Sequence, residues 1–195
     1  MLLHFAPLQG YTDDAYRRFH HQLMGGVATY TTPFLRVEGG GVRSKDLRDV
    51  APEHNQGVPV VPQIIFKSMK EFEYLLDVIT SRGYTRIDLN MGCPFPLQAK
   101  HGRGCGVLSH LDVVQSLCQR IAELSHLQFS VKMRLGWESP DEWQPVLQLL
   151  NQVPLQHITL HPRLGIQQYK GQVDMDAFRA FSDSCRHPLV YNGDI

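Results

Sequence analysis

Seven short apolar runs, at residues 2–8, 27–34, 60–66, 86–90, 129–135, 157–161 and 189–192, recur along the chain with helix-patterned stretches between most of them. This alternation constrains the fold more than any other feature. Segments 70–79 and 113–122 carry apolar residues at three- and four-residue intervals, and helices are also expected over 13–24, 141–151 and 174–184. Strands that alternate with helices call for parallel crossovers, so the expectation is a parallel sheet with strands apolar on both faces. The exception is 36–58, where Gly39-Gly40-Gly41 and nearby prolines point to an elaborated loop with one short helix. No repeat or low-complexity linker divides the chain. Its 195 residues, 43% hydrophobic and 19% charged, suit one domain spanning 1–195.

An open doubly wound sheet and a closed barrel share this rhythm, and the polar residues decide between them. The runs end on Pro7-Leu8-Gln9-Gly10, Gln63, Asn90 with Cys93, Lys132 with Arg134, His161 with Arg163, and Asn192-Gly193-Asp194. Polar groups after so many successive strands converge only if the strands form a ring, the upper rim of a (β/α)8 TIM-type barrel. A Rossmann sheet would need its glycine fingerprint directly after the first strand. The run Gly102-Arg103-Gly104-Cys105-Gly106 instead follows the fourth strand, with the wrong spacing. Seven strands are one short of eight, so the expected barrel is incomplete, with exposed edges on its first and seventh strands.

Composition narrows the function classes. Lysine plus arginine and aspartate plus glutamate number 19 each, so no global positive field marks a nucleic-acid binder, and RNA contacts would need a local patch. Among the candidates, Arg17 and Arg18 with His20 and His21, and Lys45 with Arg48, read as solvated faces. Cys93, Cys105, Cys118 and Cys185 form no C-x-x-C pair and no zinc-ligand spacing, and no metal is expected. The start, Met1-Leu2-Leu3-His4-Phe5-Ala6-Pro7, is too soon interrupted for a signal peptide, and no apolar run would span a bilayer. The expected setting is a reducing cytoplasm without membrane association.

The stretch Asp88-Leu89-Asn90-Met91-Gly92-Cys93-Pro94 ends a strand on an amide, a glycine, a thiol and a proline. Pro94 favours an extended turn that displays Cys93 toward a loop-lined pocket, although a cysteine taken alone more often packs as a small hydrophobe. Lys132 could place a cation in that pocket or merely snorkel, and Arg134 could be half of a surface ion pair. Gln63 reads equally well as a satisfied core amide, and Asn192-Gly193-Asp194 as a plain turn. His161 is set apart from the other histidines by its strand-end position. Cys105, Cys118 and Cys185 read as structural, Cys105 in a mobile segment, and Asp13 as a residue that begins a helix.

Taken together, Ala6-Pro7-Leu8-Gln9-Gly10-Tyr11-Thr12-Asp13, Gln63, Asn90-Met91-Gly92-Cys93-Pro94, Lys132-Met133-Arg134-Leu135-Gly136-Trp137, His161-Pro162-Arg163 and Asn192-Gly193-Asp194-Ile195 resemble the tRNA-dihydrouridine synthases. The resemblance implies an FMN enzyme that uses NADPH or NADH to reduce the C5–C6 bond of a tRNA uridine, with Cys93 as proton donor. A thiol with an ordinary pKa of about 8.5 is mostly protonated at neutral pH, as that role requires. It further implies FMN contacts from Pro7, Leu8, Gln9, Gln63, Lys132, His161, Asn192, Gly193 and Asp194. Substrate contacts would come from Asn90, Arg134 and Arg163, with Lys100 and Arg103 as RNA contacts on a mobile loop beside Cys93. Leu8 stands where the family commonly has methionine, and Leu164 where threonine is usual. The family continues with an eighth strand and a helical RNA-binding domain, so the chain reads as C-terminally truncated and its own activity stays open. Two alternatives remain: an FMN-dependent dehydrogenase or reductase of a free pyrimidine, and an inactive binding remnant. Oligomeric state is not legible.

Overall fold

A computed structural model describes residues 2–194; Met1 and Ile195, the latter part of the last motif, lie outside the described residues. Strands β1 (His4–Phe5), β2 (Thr29–Thr31) and β3 (Val60–Val61) pair in parallel, and β4 (Gln63–Ile64), β5 (Arg86–Met91), β6 (Gln128–Gly136), β7 (Leu155–Leu164) and β8 (Leu189–Tyr191) continue in chain order. The predicted run 60–66 appears as two short strands parted at Pro62. That residue has no N–H to offer β5, but its carbonyl on the same side still accepts from the Asp88 N–H at 2.8 Å. The described residues therefore make seven parallel staves of a barrel, with β1 and β8 unpaired to one another. The sheet nonetheless curls round. The rings of His4 in β1 and His157 in β7 lie 5.1 Å apart.

The helices fall where periodicity places them. Asp13 caps α1 (Asp14–Leu23) by accepting from the Tyr16 N–H at 2.9 Å, the helix-starting role expected of it. The loop 36–58 contains α2 (Ser44–Asp49) and a short 3-10 turn at Pro52–His54. Then come α3 (Met69–Thr80), capped by Ser68, the one-turn α4 (Pro96–Ala99), α5 (Leu111–Glu123), α6 (Trp143–Leu150) and α7 (Met175–Ser184).

The core corrects one expectation. The strands are apolar on one face only. Ile87, Leu89 and Met91 of β5 and Val131, Met133 and Leu135 of β6 point outward and pack in one cluster with Phe72, Leu75 and Ile79 of α3 and Leu117 and Ile121 of α5. Successive strand residues alternate sides, so Asp88, Asn90, Ser130, Lys132 and Arg134 belong to the opposite, concave face. Phe72, edge-on to Phe66 at 5.4 Å, lies in that cluster; trimming such a buried ring to alanine costs about 3–5 kcal/mol.

A second correction concerns Arg17, expected on a solvated face. It is fully buried and fastens α1 to the segment after α2. Its guanidinium donates to the Thr12 carbonyl at 2.7 Å, the Asp49 carbonyl at 2.6 Å and Asn55 Oδ1 at 2.9 Å, and it pairs with the Asp49 carboxylate at 3.5 Å.

Candidate active site

A cavity of about 590 Å³ opens at the carboxyl ends of the strands. It gathers Pro7, Leu8, Gln9, Gln63, Asn90, Cys93, Lys132, Arg134, His161, Arg163, Asn192, Gly193 and Asp194, brought together from six of the seven staves. Lys100 and Arg103 are not among its lining residues. Lys100 is exposed beyond α4, whereas Arg103 is tied to Glu71 at 2.6 Å and to the Val37 carbonyl at 3.3 Å. The segment expected to be a mobile loop is folded: α4 leads into a 3-10 helix, Gly104–Ser109, most of which is buried. Cys105 sits there fully buried, its thiol pushed up to about 12 by desolvation.

The Cys93 turn is held from beneath. The Asn90 side-chain oxygen accepts from the backbone N–H groups of Gly92 at 3.1 Å and Cys93 at 2.9 Å, and the Cys93 carbonyl accepts from the Cys105 N–H at 3.1 Å. Gly104 packs so closely that a Cβ there would lie 2.7 Å from the Cys93 Cβ, and its φ of +57° suits glycine. Asn90 thus serves the turn first, and only its amide nitrogen remains for a ligand. Burial raises the Cys93 thiol above its ordinary value, against the pull of the Phe95 N–H, Lys132 and Arg134, so the sulfur keeps its proton at neutral pH.

Beneath Asn90 runs a buried polar chain that sequence reasoning missed. Ser130 Oγ donates to Asp88 at 2.5 Å, Gln63 Nε2 donates to the other Asp88 oxygen at 2.7 Å, and Asn90 Nδ2 donates to Gln63 Oε1 at 2.8 Å. Burial raises the Asp88 carboxyl, opposed by the hydrogen bonds from Ser130 and Gln63. A signal was present: an aspartate two residues before Asn90 in an apolar strand shares its face.

Next to Asn90, across the β5–β6 ladder, the wall becomes cationic. Lys132 makes no ion pair among the described residues, and burial, then Arg134, lowers its ammonium. Arg134 is 1% exposed, donates to the Leu164 carbonyl at 2.9 Å and lies 5.4 Å from the Tyr169 ring centroid. Tyr169 follows Gln168, whose φ of +52° marks the tight turn presenting the ring to the cavity. Arg163 grips Asp194 at 2.6 and 2.8 Å and the Gly171 carbonyl at 2.7 Å, while its Nε is buried without a partner. Arg163 Nη1 also lies 3.1 Å from His161 Nε2. Burial, followed by Arg134, Lys132 and Arg163, pushes His161 down to about 3, so the ring is neutral. Because a guanidinium only donates, Nε2 must accept and Nδ1 carries the hydrogen.

Asp194 is the only carboxylate among the described cavity-lining residues, and it is already engaged by Arg163. A wall with spare amide N–H groups and two cations lacking carboxylate partners among the described residues fits an anionic, carbonyl-rich ligand. A flavin mononucleotide meets that description in chemistry, and the cavity volume is ordinary for a cofactor. No cluster of three or more metal-ligating side chains occurs among the described residues, and no helix among them is long and apolar enough to cross a membrane.

Comparison with known proteins bears on the family and the fold. The chain is similar to tRNA-dihydrouridine synthase B of Escherichia coli K12 and of Shigella flexneri, each 26% identical over 194 residues, covering 97% of this chain and 59% of the relative. The Yersinia pestis protein of that name is 27% identical over 192 residues, with the same coverage. The chain thus spans about 59% of the length of these curated relatives. In fold it resembles a Coccidioides immitis structure described as a deoxyribose-phosphate aldolase, with a TM-score of 0.53 at 14% identity, over 97% of this chain and 70% of that one. The profile of the dihydrouridine synthase (Dus) family matches residues 4–195. With a family profile covering nearly its whole length, this chain belongs to the dihydrouridine synthase family.

Proposed function

We propose that residues 1–195 form a flavin-binding catalytic domain that acts on uridine in tRNA, with Cys93 as proton donor. The observation that carries this reading is a protonated Cys93 thiol sharing one cavity with Lys132 and Arg134, neither of which has a carboxylate partner among the described residues. FMN, renewed by NADPH or NADH, would supply hydride to uracil C6 when bound in this cavity. The chain's own residues would do the rest. Cys93 Sγ–H gives its proton to C5. Lys132 and the Nδ1–H of His161 face negative charge with fixed positive dipoles in a site of low dielectric. Pro7, Leu8, Gln9, Gln63, Asn192 and Gly193 would shape the flavin's seat, with Asp194 holding Arg163 in place. Arg134 and Asn90 would meet the uridine, which must first leave its stack at a cost of a few kcal/mol. Lys100 stands on the surface beside the catalytic turn as an RNA contact; Arg103, bound to Glu71, is the weaker candidate.

The test is reconstitution of the purified chain with FMN, NADPH and an unmodified tRNA transcript, with dihydrouridine read by mass spectrometry. Product should form, and Cys93→Ala should lower its rate by about a hundredfold or more with flavin content unchanged. A wild-type rate in Cys93→Ala overturns the acid assignment. Turnover of uracil or dihydroorotate without turnover of tRNA would replace the RNA reading with a free-pyrimidine one.

A further inference from the structure

The chain Ser130, Asp88, Gln63, Asn90 and the Cys93 turn has a direction, and that direction follows from its two ends. At the upper end stand the backbone N–H groups of Gly92 and Cys93, which can only donate, so Asn90 must present Oδ1 to them. Its Nδ2 then faces Gln63, which must answer with Oε1. The Gln63 nitrogen is thereby turned toward Asp88, whose oxygen accepts at 2.7 Å. Reversing either amide would set donor against donor at the turn or oxygen against oxygen at Asp88. Each amide uses one N–H in the chain and keeps a second with no protein acceptor among the described residues, and both side chains border the cavity.

We propose that Asp88 is a positioning residue: as the terminal acceptor of this one-way relay it steadies the Cys93 turn and leaves the Gln63 and Asn90 amides with only N–H groups free toward the cavity, so that stretch of wall takes a carbonyl group. Neither part needs Asp88 to touch a ligand, and it is absent from the cavity lining. That the carbonyl belongs to flavin or uracil rests on the function proposed above. The polarity of the relay does not.

Asp88→Asn and Asp88→Ala separate this role from a merely electrostatic one. Asparagine keeps an oxygen for Gln63 and can donate its amide to Ser130, while removing the charge. Alanine removes the acceptor. Amide hydrogen exchange followed residue by residue should quicken at Gly92 and Cys93 by about fivefold or more in Asp88→Ala, the size expected for one weakened hydrogen bond, and stay near wild type in Asp88→Asn. Amides within β5 should not change. Equal acceleration in both variants would assign the effect to charge, uniform acceleration along β5 would assign it to loosened packing, and no acceleration would remove the relay; each overturns the proposal. If Asp88→Ala does not fold, Gln63→Leu cuts the relay one link higher and should give the same pattern at Gly92 and Cys93. Infrared spectra of added FMN supply the second readout. Its carbonyl stretch should be lowered on the wild-type chain and on Asp88→Asn, and less so on Asp88→Ala. An unshifted stretch in bound FMN overturns the donor-wall part, whereas the exchange pattern in a chain that binds no FMN upholds the relay and removes the flavin reading.

Discussion

Arg17 and Arg134 are both withdrawn from solvent, at 0% and 1% exposure, yet they are buried in opposite ways. Arg17 is surrounded by acceptors: two carbonyls, the Asn55 amide oxygen and the Asp49 carboxylate. Arg134 has a single protein acceptor among the described residues, the Leu164 carbonyl, and the cations Arg163 and Lys132 act on it without a carboxylate beside it. Desolvating a guanidinium is expensive unless its hydrogens find partners, so the protein itself meets both terminal nitrogens of Arg17, leaving only its Nε without a partner among the described residues, whereas Arg134 leaves most of its donors to a ligand. Burial alone does not distinguish a structural cation from a binding one. The count of satisfied donors does.

Three measurements would break or sharpen this contrast. Arg17→Met leaves the Asp49 carboxylate buried without its counter-charge and should cost about 3–5 kcal/mol in urea unfolding, with the cavity's chemistry untouched. Arg134→Met should leave unfolding nearly unchanged and weaken FMN or RNA-anion binding by about 1.5–3 kcal/mol, a tenfold to hundredfold loss by titration. If the two arginines exchanged these phenotypes, the contrast would be wrong. The smallest effect concerns pH. His161 in the folded chain is held at about 3, below its ordinary 6.5, so the unfolded chain takes the proton first on acidification. Its contribution to stability is full above pH 6.5 and fades as pH falls toward 3. His157, held at about 4 by burial and by His4, adds to the same slope. At pH 5.5 the loss from His161 is about 1 kcal/mol, and urea melts of His161→Gln across this range should show a shallower decline than wild type.

The candidate site was legible to different depths. Cys93, Lys132, Arg134, His161 and Gln63 could be gathered at one rim from their places in the predicted runs, since strand ends of a barrel meet, but taken singly Cys93, Arg134 and Gln63 had equally good structural readings and it was the family resemblance that gave them roles. Asp88 and Ser130 escaped because they stand one layer lower, where an isolated polar residue in an apolar strand gives no sign of what satisfies it. Arg17 looked like part of a basic helical face, since its partners Asp49 and Asn55 lie more than thirty residues away. Arg103 looked like an RNA contact for the same reason, its carboxylate partner being Glu71. The glycines and cysteine of 102–106 suggested mobility, whereas Gly104 and Gly106 are there because the Cys93 turn and α4 leave no room for a side chain.

The sequence by itself determined the parallel, alternating architecture, the positions of its long helices and the set of residues at the strand ends, because periodicity and strand termini are local properties of the chain. The polar lining of the barrel, the pairing of its buried charges, the neutrality of His161 and the direction of the hydrogen-bond relay were decided only in the tertiary structure. Each depends on how completely a group is desolvated and on which distant donor or acceptor meets it, and neither is written in its immediate neighbours.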